Sequence, residues 1–252
     1  MRTQALKIQP QSIEYHCDSC QFLTGWITGN FPKEKTHEFS RSLTRYEIKR
    51  KGAYVFNQGQ PSEGAYFLCS GIVKLVADLE NGQEVILDLL IPNSVIGANP
   101  RNEKMTHRYS AVAISQSARI AYAKQGALEN LMRSEPRIAE ALYHGYWQKL
   151  QRSYTLISHR MYDVRGRFLR FLAYYMSAFS TIRNGELLAV HLSRDEIAQL
   201  VQTTPETISR LLHHLHDEGL VAPATERGVI FIKSKTLREL VDESSETGGV
   251  LM

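Results

Sequence analysis

Between Pro136 and Pro205 the chain contains no proline. Proline removes a backbone donor and clashes with the preceding helical turn, so its absence marks an interval in which long helices can form. The text before that interval is of another kind. From about Tyr46 to Ala123, short runs rich in Val, Ile, Tyr and Phe are separated by punctuation: Ala53–Phe56, Ala65–Leu68, Ile72–Val76, Glu84–Asp88, Ala111–Ile114 and Ala118–Tyr122, broken at Gly59, Pro61, Gly71, Asn81-Gly82, Pro92 and Gly97. Asn81-Gly82 between two apolar runs predicts a tight hairpin in which both turn residues take positive φ. Many short strands at regular spacing predict a barrel or a sandwich. Strands gathered in one half and helices in the other are the pattern of an α+β chain.

Inside the proline-free interval, apolar residues recur at Ile138, Leu142, Tyr146, Leu150, Tyr154, Ile157, Met161 and Val164. Steps of three and four place them on one stripe of a single long helix over Arg137–Val164. So long and narrow a stripe is a seam, lying either on the chain's own β-region or against a second subunit. A second helical run, Arg165–Phe179, precedes Gly185 and the strand-like Leu187–Val190. Leu192–Leu237 reads as helix, turn, helix and hairpin. Residues 1–38 are polar and mixed, an arm with little regular structure. The tail Asp242–Met252 has small and polar residues with nothing to bury and is expected to be disordered.

Composition narrows the function classes. At 252 residues and 43% hydrophobic content, a core can hold the fold without a metal or a disulfide. Three cysteines, an odd number, argue against a disulfide framework and fit a reducing cytoplasm. No apolar stretch approaches the roughly 20 residues of a membrane helix, and the first residues, MRTQALKIQPQSIEYHC, carry no apolar segment of the secretory type. The net charge of +4 permits a nucleic-acid partner without requiring one. No Gly-rich phosphate loop, Gly-x-Ser-x-Gly elbow or His-Glu-x-x-His pair is present, so no enzymatic activity is expected. His213-His214-x-His216 is the one histidine cluster and reads as a polar helix rim.

The informative stretch is Leu192–Leu215. Ser193 followed by Glu196 is a capping box that starts one helix. Thr204 followed by Pro205 starts a second, with threonine as N-cap and proline at the first helical position, where its missing N–H costs nothing. Two short helices joined by a three- or four-residue turn make a helix-turn-helix. On the second helix Ile208, Leu211, Leu212 and Leu215 form an apolar stripe, opposite Glu206, Ser209, Arg210 and His213. A carboxylate, a hydroxyl and a guanidinium near a helix start are groups that read base edges.

Glu206-Thr-Ile-Ser-Arg-Leu-Leu212 resembles the recognition helix of the CRP/FNR family of bacterial transcription regulators, in its FNR-type Glu-x-x-Ser-Arg form. Gly52–Gly59 and Tyr66–Gly71 resemble the first strands of the family's β-roll, Ile138–Met161 its dimerisation helix, and Val221–Ile232, with Arg227-Gly228 at the turn, its wing. The resemblance implies an N-terminal cyclic-nucleotide-binding-like β-roll, a long dimerisation helix and a C-terminal winged helix-turn-helix. The corresponding boundaries are a cysteine-bearing arm at 1–38, a β-roll sensor at 39–132, the dimerisation helix at 133–162, the DNA-binding domain at 163–238 and a disordered tail at 239–252. It implies a cytoplasmic homodimer that binds double-stranded DNA at a palindrome close to TTGAT-N4-ATCAA, with RNA polymerase as a further partner and no membrane. Glu206, Ser209 and Arg210 would read bases, with Thr204, Thr207, His213 and Ser193 beside them; Ile138, Leu142, Tyr146, Leu150, Tyr154, Ile157 and Met161 would form the dimer seam. Lys149, Arg152, Arg160, Arg165, Arg167 and Arg170, with only Asp163 among them as counter-charge, are candidates for phosphate contacts. One departure is Gln202, in the turn where the family commonly has glycine.

The effector is left open. Cyclic-nucleotide binders of the family carry Gly-Glu-Leu and then Arg-Ser or Arg-Thr before Ala; Ile96-Gly97-Ala98-Asn99 has no glutamate, and Tyr109 stands where the arginine would be, with Arg108 one residue off. Cyclic AMP is therefore not expected. His16-Cys17-Asp-Ser-Cys20 is similar to the start of the FNR branch's cluster-binding cysteines, but a third cysteine is missing from the arm and Ala121 occupies the β-roll cysteine's place. An iron–sulfur cluster normally takes four thiolates, and here Cys69 and His16 would have to complete the set. A Cys17/Cys20 dithiol, a zinc site, and haem on His107, Met105 or Cys69 are the other readings. In the competing functional class, the roll serves as a regulatory module acting on a protein partner; the helix-turn-helix argues against it.

Overall fold

A computed structural model of the chain describes residues 39–97, 105–158, 161–177, 187–190, 192–222 and 230–233. Within the whole chain two compact units are divided between Ser153 and Tyr154. The arm with His16, Cys17 and Cys20, the tail 239–252, the wing turn Arg227-Gly228, Arg160, Ala98 and Asn99 lie outside the described residues.

Among the described residues the first unit has eight strands: β1 (Thr44–Ile48), β2 (Tyr54–Phe56), β3 (Gly64–Ser70), β4 (Val73–Asp78), β5 (Glu84–Leu90), β6 (Val95–Ile96), β7 (Ser110–Ala113) and β8 (Ala118–Lys124). They form two antiparallel four-stranded sheets, ordered β1-β8-β3-β6 and β2-β7-β4-β5. Both faces of the first sheet are covered. Alternate residues of β3 and β8 (Ala65, Phe67, Ala121, Ala123) meet Leu128, Leu131, Ile138 and Leu142 of the following helices. The intervening ones (Leu68, Ala118, Ile120) meet Phe56, Val73, Leu75, Ala111 and Ala113 of the second sheet. Burial on both faces is why these strands read as unbroken apolar runs rather than alternating ones. The first strand, β1, and the two-residue β6 were not among the sequence-predicted runs. Tyr46, Arg45 and Glu47 of β1 are only half-buried, so their composition carries little apolar signal.

Asn81-Gly82 does join β4 to β5, but by a longer turn than the dipeptide predicts. The Gly82 N–H donates to the Leu79 carbonyl at 2.9 Å and the Leu79 N–H to the Gln83 carbonyl at 2.8 Å. Only Gly82 has positive φ, at 80°. This is the three-residue loop in which an ordinary turn is followed by a left-handed bulge residue, so Asn81 needs no left-handed conformation.

Two helices follow: α1 (Gln125–Ser134) and α2 (Pro136–Ser158). The predicted seam divides. Ile138 and Leu142 are buried in the core against the first sheet. Tyr146, Trp147, Leu150, Tyr154 and Ile157 stay 38–59% exposed, and Tyr143 is 69% exposed. The exposed residues Tyr143, Trp147, Leu150, Tyr154 and Ile157 advance by four, three, four and three, the 3.5-residue repeat of a coiled-coil seam. Met161 is not on this helix: α2 ends at Ser158, and residues 161–163 form a turn before α3 (Val164–Ser177). Asp163 starts the next helix, its Oδ1 accepting the Gly166 N–H at 2.7 Å as an N-cap. Apolar spacing runs through Met161 and Val164 and masks that cap in the sequence.

The middle of α2 grips the outer edge of the second sheet. On the edge strand β5, side chains meet the Leu89 amide and carbonyl. The Asp88 carboxylate accepts the Leu89 N–H at 2.8 Å, and Arg152 donates to the Leu89 carbonyl at 3.0 Å while pairing with Asp88 at 3.1 Å. Burial pushes the nearby Lys149 ammonium below its ordinary value, and Asp88 pulls it partly back. Arg152 thus serves the fold and helps close an edge to further strand pairing.

Inside the roll, His107 is buried and stacks on Phe56 at 3.8 Å between centroids. Its backbone is pinned to Gly59 and Gln60 by two 2.8 Å hydrogen bonds. Burial holds the imidazole below its usual pKa of 6.5. The folded chain therefore keeps His107 neutral while the unfolded chain takes up a proton as pH falls through 6.5, the value of the free side chain. Stability from this group is complete above that pH and is lost progressively below it. The urea midpoint is expected to fall between about pH 7.5 and about pH 5.5, and to fall less in His107→Phe, which keeps a ring against Phe56 but cannot protonate. Equal slopes in the two proteins would contradict this assignment.

The second unit holds α3, β9 (Leu187–Val190), α4 (Arg194–Val201), α5 (Pro205–Asp217), β10 (Val221–Ala222) and β11 (Ile230–Lys233). Strand β11 lies between β10 and β9, with Ile232 opposite Val221 and Leu188. The strand-like Leu187–Val190 thus joins the C-terminal hairpin in one sheet. Among the described residues no helix is long and apolar enough to cross a membrane.

Candidate nucleic-acid interface

Helix α4 begins as its sequence dictates. The Glu196 N–H donates to Ser193 Oγ at 3.1 Å, and the Ser193 N–H donates to Glu196 Oε2 at 2.9 Å. Ser193, a candidate DNA-contacting residue, therefore has its hydroxyl oxygen engaged in the cap. Ile197, Ala198 and Val201 are buried, fixing the helix on its domain.

The turn that follows is held by Gln202 in the left-handed region, at φ 58° and ψ 58°. The Gln202 N–H reaches the Gln199 carbonyl at 3.2 Å and the Thr203 N–H the Ala198 carbonyl at 2.9 Å, the paired bonds of a Schellman C-cap. Glycine usually occupies such a position because it lacks Cβ. Gln202→Gly is therefore expected to stabilise this unit by about 1 kcal/mol, raising its unfolding midpoint, since the strain of a non-glycine left-handed residue is of that order. A lower midpoint would show that the glutamine side chain contributes more than its backbone costs.

Helix α5 then starts at Pro205, with Thr204 as N-cap accepting the Thr207 N–H at 3.3 Å. The Thr204 and Thr207 hydroxyls lie 3.1 Å apart. Ile208 and Leu215 are fully buried and Leu211 and Leu212 half-buried, so the apolar stripe docks the helix. The opposite side stays open: Glu206, Arg210 and His213 are exposed and Ser209 is half-exposed. At 100° per residue these four fall within about 100° of arc. Hydrogen bonds from its own backbone N–H and from Thr204 hold the Glu206 carboxyl below its ordinary pKa, and Arg210 adds to the effect. Glu206 and Arg210, four apart, thus present an ionised acceptor and a fixed cation side by side.

The sequence offered other cations for phosphate contacts, and the structure gives several of them internal work instead. Arg165 pairs with both Glu218 oxygens at 2.6 and 2.7 Å. Arg167 donates to three carbonyls. Arg170 lies over the Tyr162 ring at 4.1 Å. The sequence reading did not single out Arg167 for this role; its only sequence signal is a basic residue four positions after the Asp163 N-cap.

In the roll, Tyr109 packs among the core residues near Phe56 and Arg108 is exposed. Ala121 is buried beneath the helices, and Cys69 is partly buried against the same cluster. Met105 is exposed although His107 is buried. Among the described residues no group of three or more His, Cys, Asp and Glu is placed to hold a metal.

Comparison with known proteins decides the relationship. The Cyclic nucleotide-binding domain family matches residues 47–135 and the Crp-like helix-turn-helix domain family matches residues 166–240. The chain belongs to the CRP/FNR family of transcription regulators. One relative is the CRP-like cAMP-activated global transcriptional regulator of Mycobacterium tuberculosis, 28% identical over 173 residues, covering 68% of this chain and 77% of that protein. Another is the nitrogen fixation regulation protein FixK of Azorhizobium caulinodans, 27% identical over 194 residues, covering 75% and 76%. The solved structure of FixK2 from Bradyrhizobium japonicum shares the fold with a TM-score of 0.64 at 22% identity, covering 79% of this chain and 96% of that one. As a CRP/FNR regulator the chain carries its DNA-binding helix-turn-helix at α4 and α5.

Proposed function

We propose that this regulator works as a homodimer on an inverted-repeat operator close to TTGAT-N4-ATCAA. Glu206, Ser209 and Arg210 read each half-site, Glu206 accepting from a cytosine amino group and Arg210 donating to a guanine. The observation that carries this reading is the juxtaposition on α5: three base-reading groups on the exposed side of the first half of a helix whose other side is buried. Thr204, Thr207, Ser193 and His213 flank that surface and are assigned to the surrounding backbone contacts. The exposed repeat Tyr143, Trp147, Leu150, Tyr154 and Ile157 supports a parallel pairing of two α2 helices, with Tyr146 beside it. A palindrome requires a two-fold dimer whose recognition helices lie about one DNA turn apart. This setting also supports a cytoplasmic protein that meets RNA polymerase at its promoters and does not catalyse a reaction.

The effector of the roll is assigned to a class other than cyclic nucleotides, because Tyr109 fills the place of a phosphate-binding arginine. Titrating the protein against the palindromic duplex, and against one with both half-sites scrambled, tests the reading, with and without cyclic AMP. Tight, salt-sensitive binding to the palindrome alone, unchanged by cyclic AMP, is expected. Equal binding to both duplexes would refute the operator assignment, and a gain with cyclic AMP would refute the effector assignment.

A further inference from the structure

We infer that Arg167 is a positioning residue for sequence reading, acting through the turn that precedes the recognition helix. Its guanidinium uses all three nitrogens. Nε donates to the Val201 carbonyl at 2.8 Å, Nη2 to the Gln202 carbonyl at 3.3 Å, and Nη1 to the Tyr162 carbonyl at 2.8 Å. Val201 is the last residue of α4, and Gln202 is the left-handed residue that redirects the chain into α5. Tyr162 lies in the turn that enters α3, where Asp163 caps the helix. One planar cation therefore joins the entry of α3 to the corner of the helix-turn-helix.

The chemistry suits the place. The last carbonyls of a helix carry partial negative charge and lack intrahelical donors, and a cation there is favourable. A guanidinium offers donors in a fixed fork, so it sets the direction of each carbonyl as well as meeting it; a lysine ammonium is a single point on a flexible stem. The corner needs such a fixture because Gln202, unlike glycine, is not at ease in the left-handed region. If the corner shifts, Thr204 and the first turn of α5 shift with it. That turn carries Glu206, and base contacts lose their strength steeply with misalignment. Arg167 touches no base in this account; it sets where Glu206, Ser209 and Arg210 arrive.

The inference rests on the proposed DNA-reading role of α5, and the test separates the two. Binding of the wild type, Arg167→Met, Arg167→Lys and Arg210→Ala is measured on the palindrome and on scrambled duplex across a salt series, with thermal melting of each protein. For Arg167→Met the ratio of palindrome to scrambled affinity is expected to fall by about tenfold or more, the discrimination of one good base contact. Its salt slope on scrambled duplex stays that of the wild type. Arg167→Lys restores little of the ratio, although it keeps the charge. A salt slope reduced by about one, with both affinities falling together, would make Arg167 a phosphate contact and overturn the inference. So would a lowered melting midpoint with an unchanged ratio, which is the mark of a residue that only stabilises. If the wild type itself does not discriminate, or Arg210→Ala leaves its ratio intact, the reading of α5 fails instead.

Discussion

Trp147→Glu combined with Leu150→Glu is expected to turn the dimer into a monomer and to remove operator binding. Both residues lie on the exposed repeat of α2 and neither belongs to the core of the described residues: Trp147 is 47% and Leu150 42% exposed. Each unit should therefore still fold. In a parallel pair each glutamate would face its own symmetry copy in a desolvated seam, and like charges in such a place are strongly unfavourable. A monomer presents one recognition helix, and the palindrome then offers it one half-site at a time. Affinity should fall toward the non-specific level, roughly 10³-fold or more. Light scattering after size exclusion, circular dichroism and anisotropy titration read the three parts of this outcome. A folded protein that remains dimeric would place the interface elsewhere. A comparable double substitution at Ile138 and Leu142 should unfold the first unit instead, because those two residues belong to its core.

The second large effect is at the other end of the chain. Arg210→Ala should weaken cognate binding by about 1–3 kcal/mol per half-site, and by about twice that on the palindrome where the half-sites add. The loss should concentrate on one base pair of each half-site. Competition with duplexes substituted at that pair would become flat for the variant while staying steep for the wild type. Its pattern differs from that of a cation meeting phosphate, which weakens every sequence alike and reduces the salt dependence. A variant that loses affinity evenly across sequences would demote Arg210 from reader to electrostatic anchor. Glu206 supplies the neighbouring acceptor, and its carboxyl is held ionised by the helix start and by Arg210, so this half of the code should persist below neutral pH.

The sequence was most legible where local chemistry and tertiary packing agree. Ser193 with Glu196 and Thr204 with Pro205 mark helix starts by hydrogen bonds formed within four residues, and both starts stand where those residues place them. The runs in β3 and β8 were visible because their sheet is covered on both faces, and the other four because at least one face of each strand is buried. Signals failed where a weak local device competes with a strong periodic one. The stripe from Ile138 to Val164 reads as one helix, yet α2 ends at Ser158 and another helix begins behind the Asp163 cap. The same periodicity could not show that Ile138 and Leu142 turn inward while Tyr143 and Trp147 remain outside, since all four have apolar side chains. Helix α1 left little trace because only Leu128 and Leu131 of its ten residues are buried. The basic residues were the least legible. Nothing in their spacing says that Arg152 closes a sheet edge at Leu89, that Arg165 meets Glu218, or that Arg167 reaches Val201, because these three partners lie at least 34 residues away in the chain.

The central claim is that a dimer of this chain reads an inverted repeat through α5. Selection from a library of fully random duplexes tests it most directly, because no site is assumed. The account predicts enrichment of two inverted half-sites with centres about one helical turn apart, close to TTGAT-N4-ATCAA, with the base preference altered in Arg210→Ala. Enrichment of a single asymmetric motif, or of no sequence at all under conditions where the protein is folded and dimeric, would contradict it.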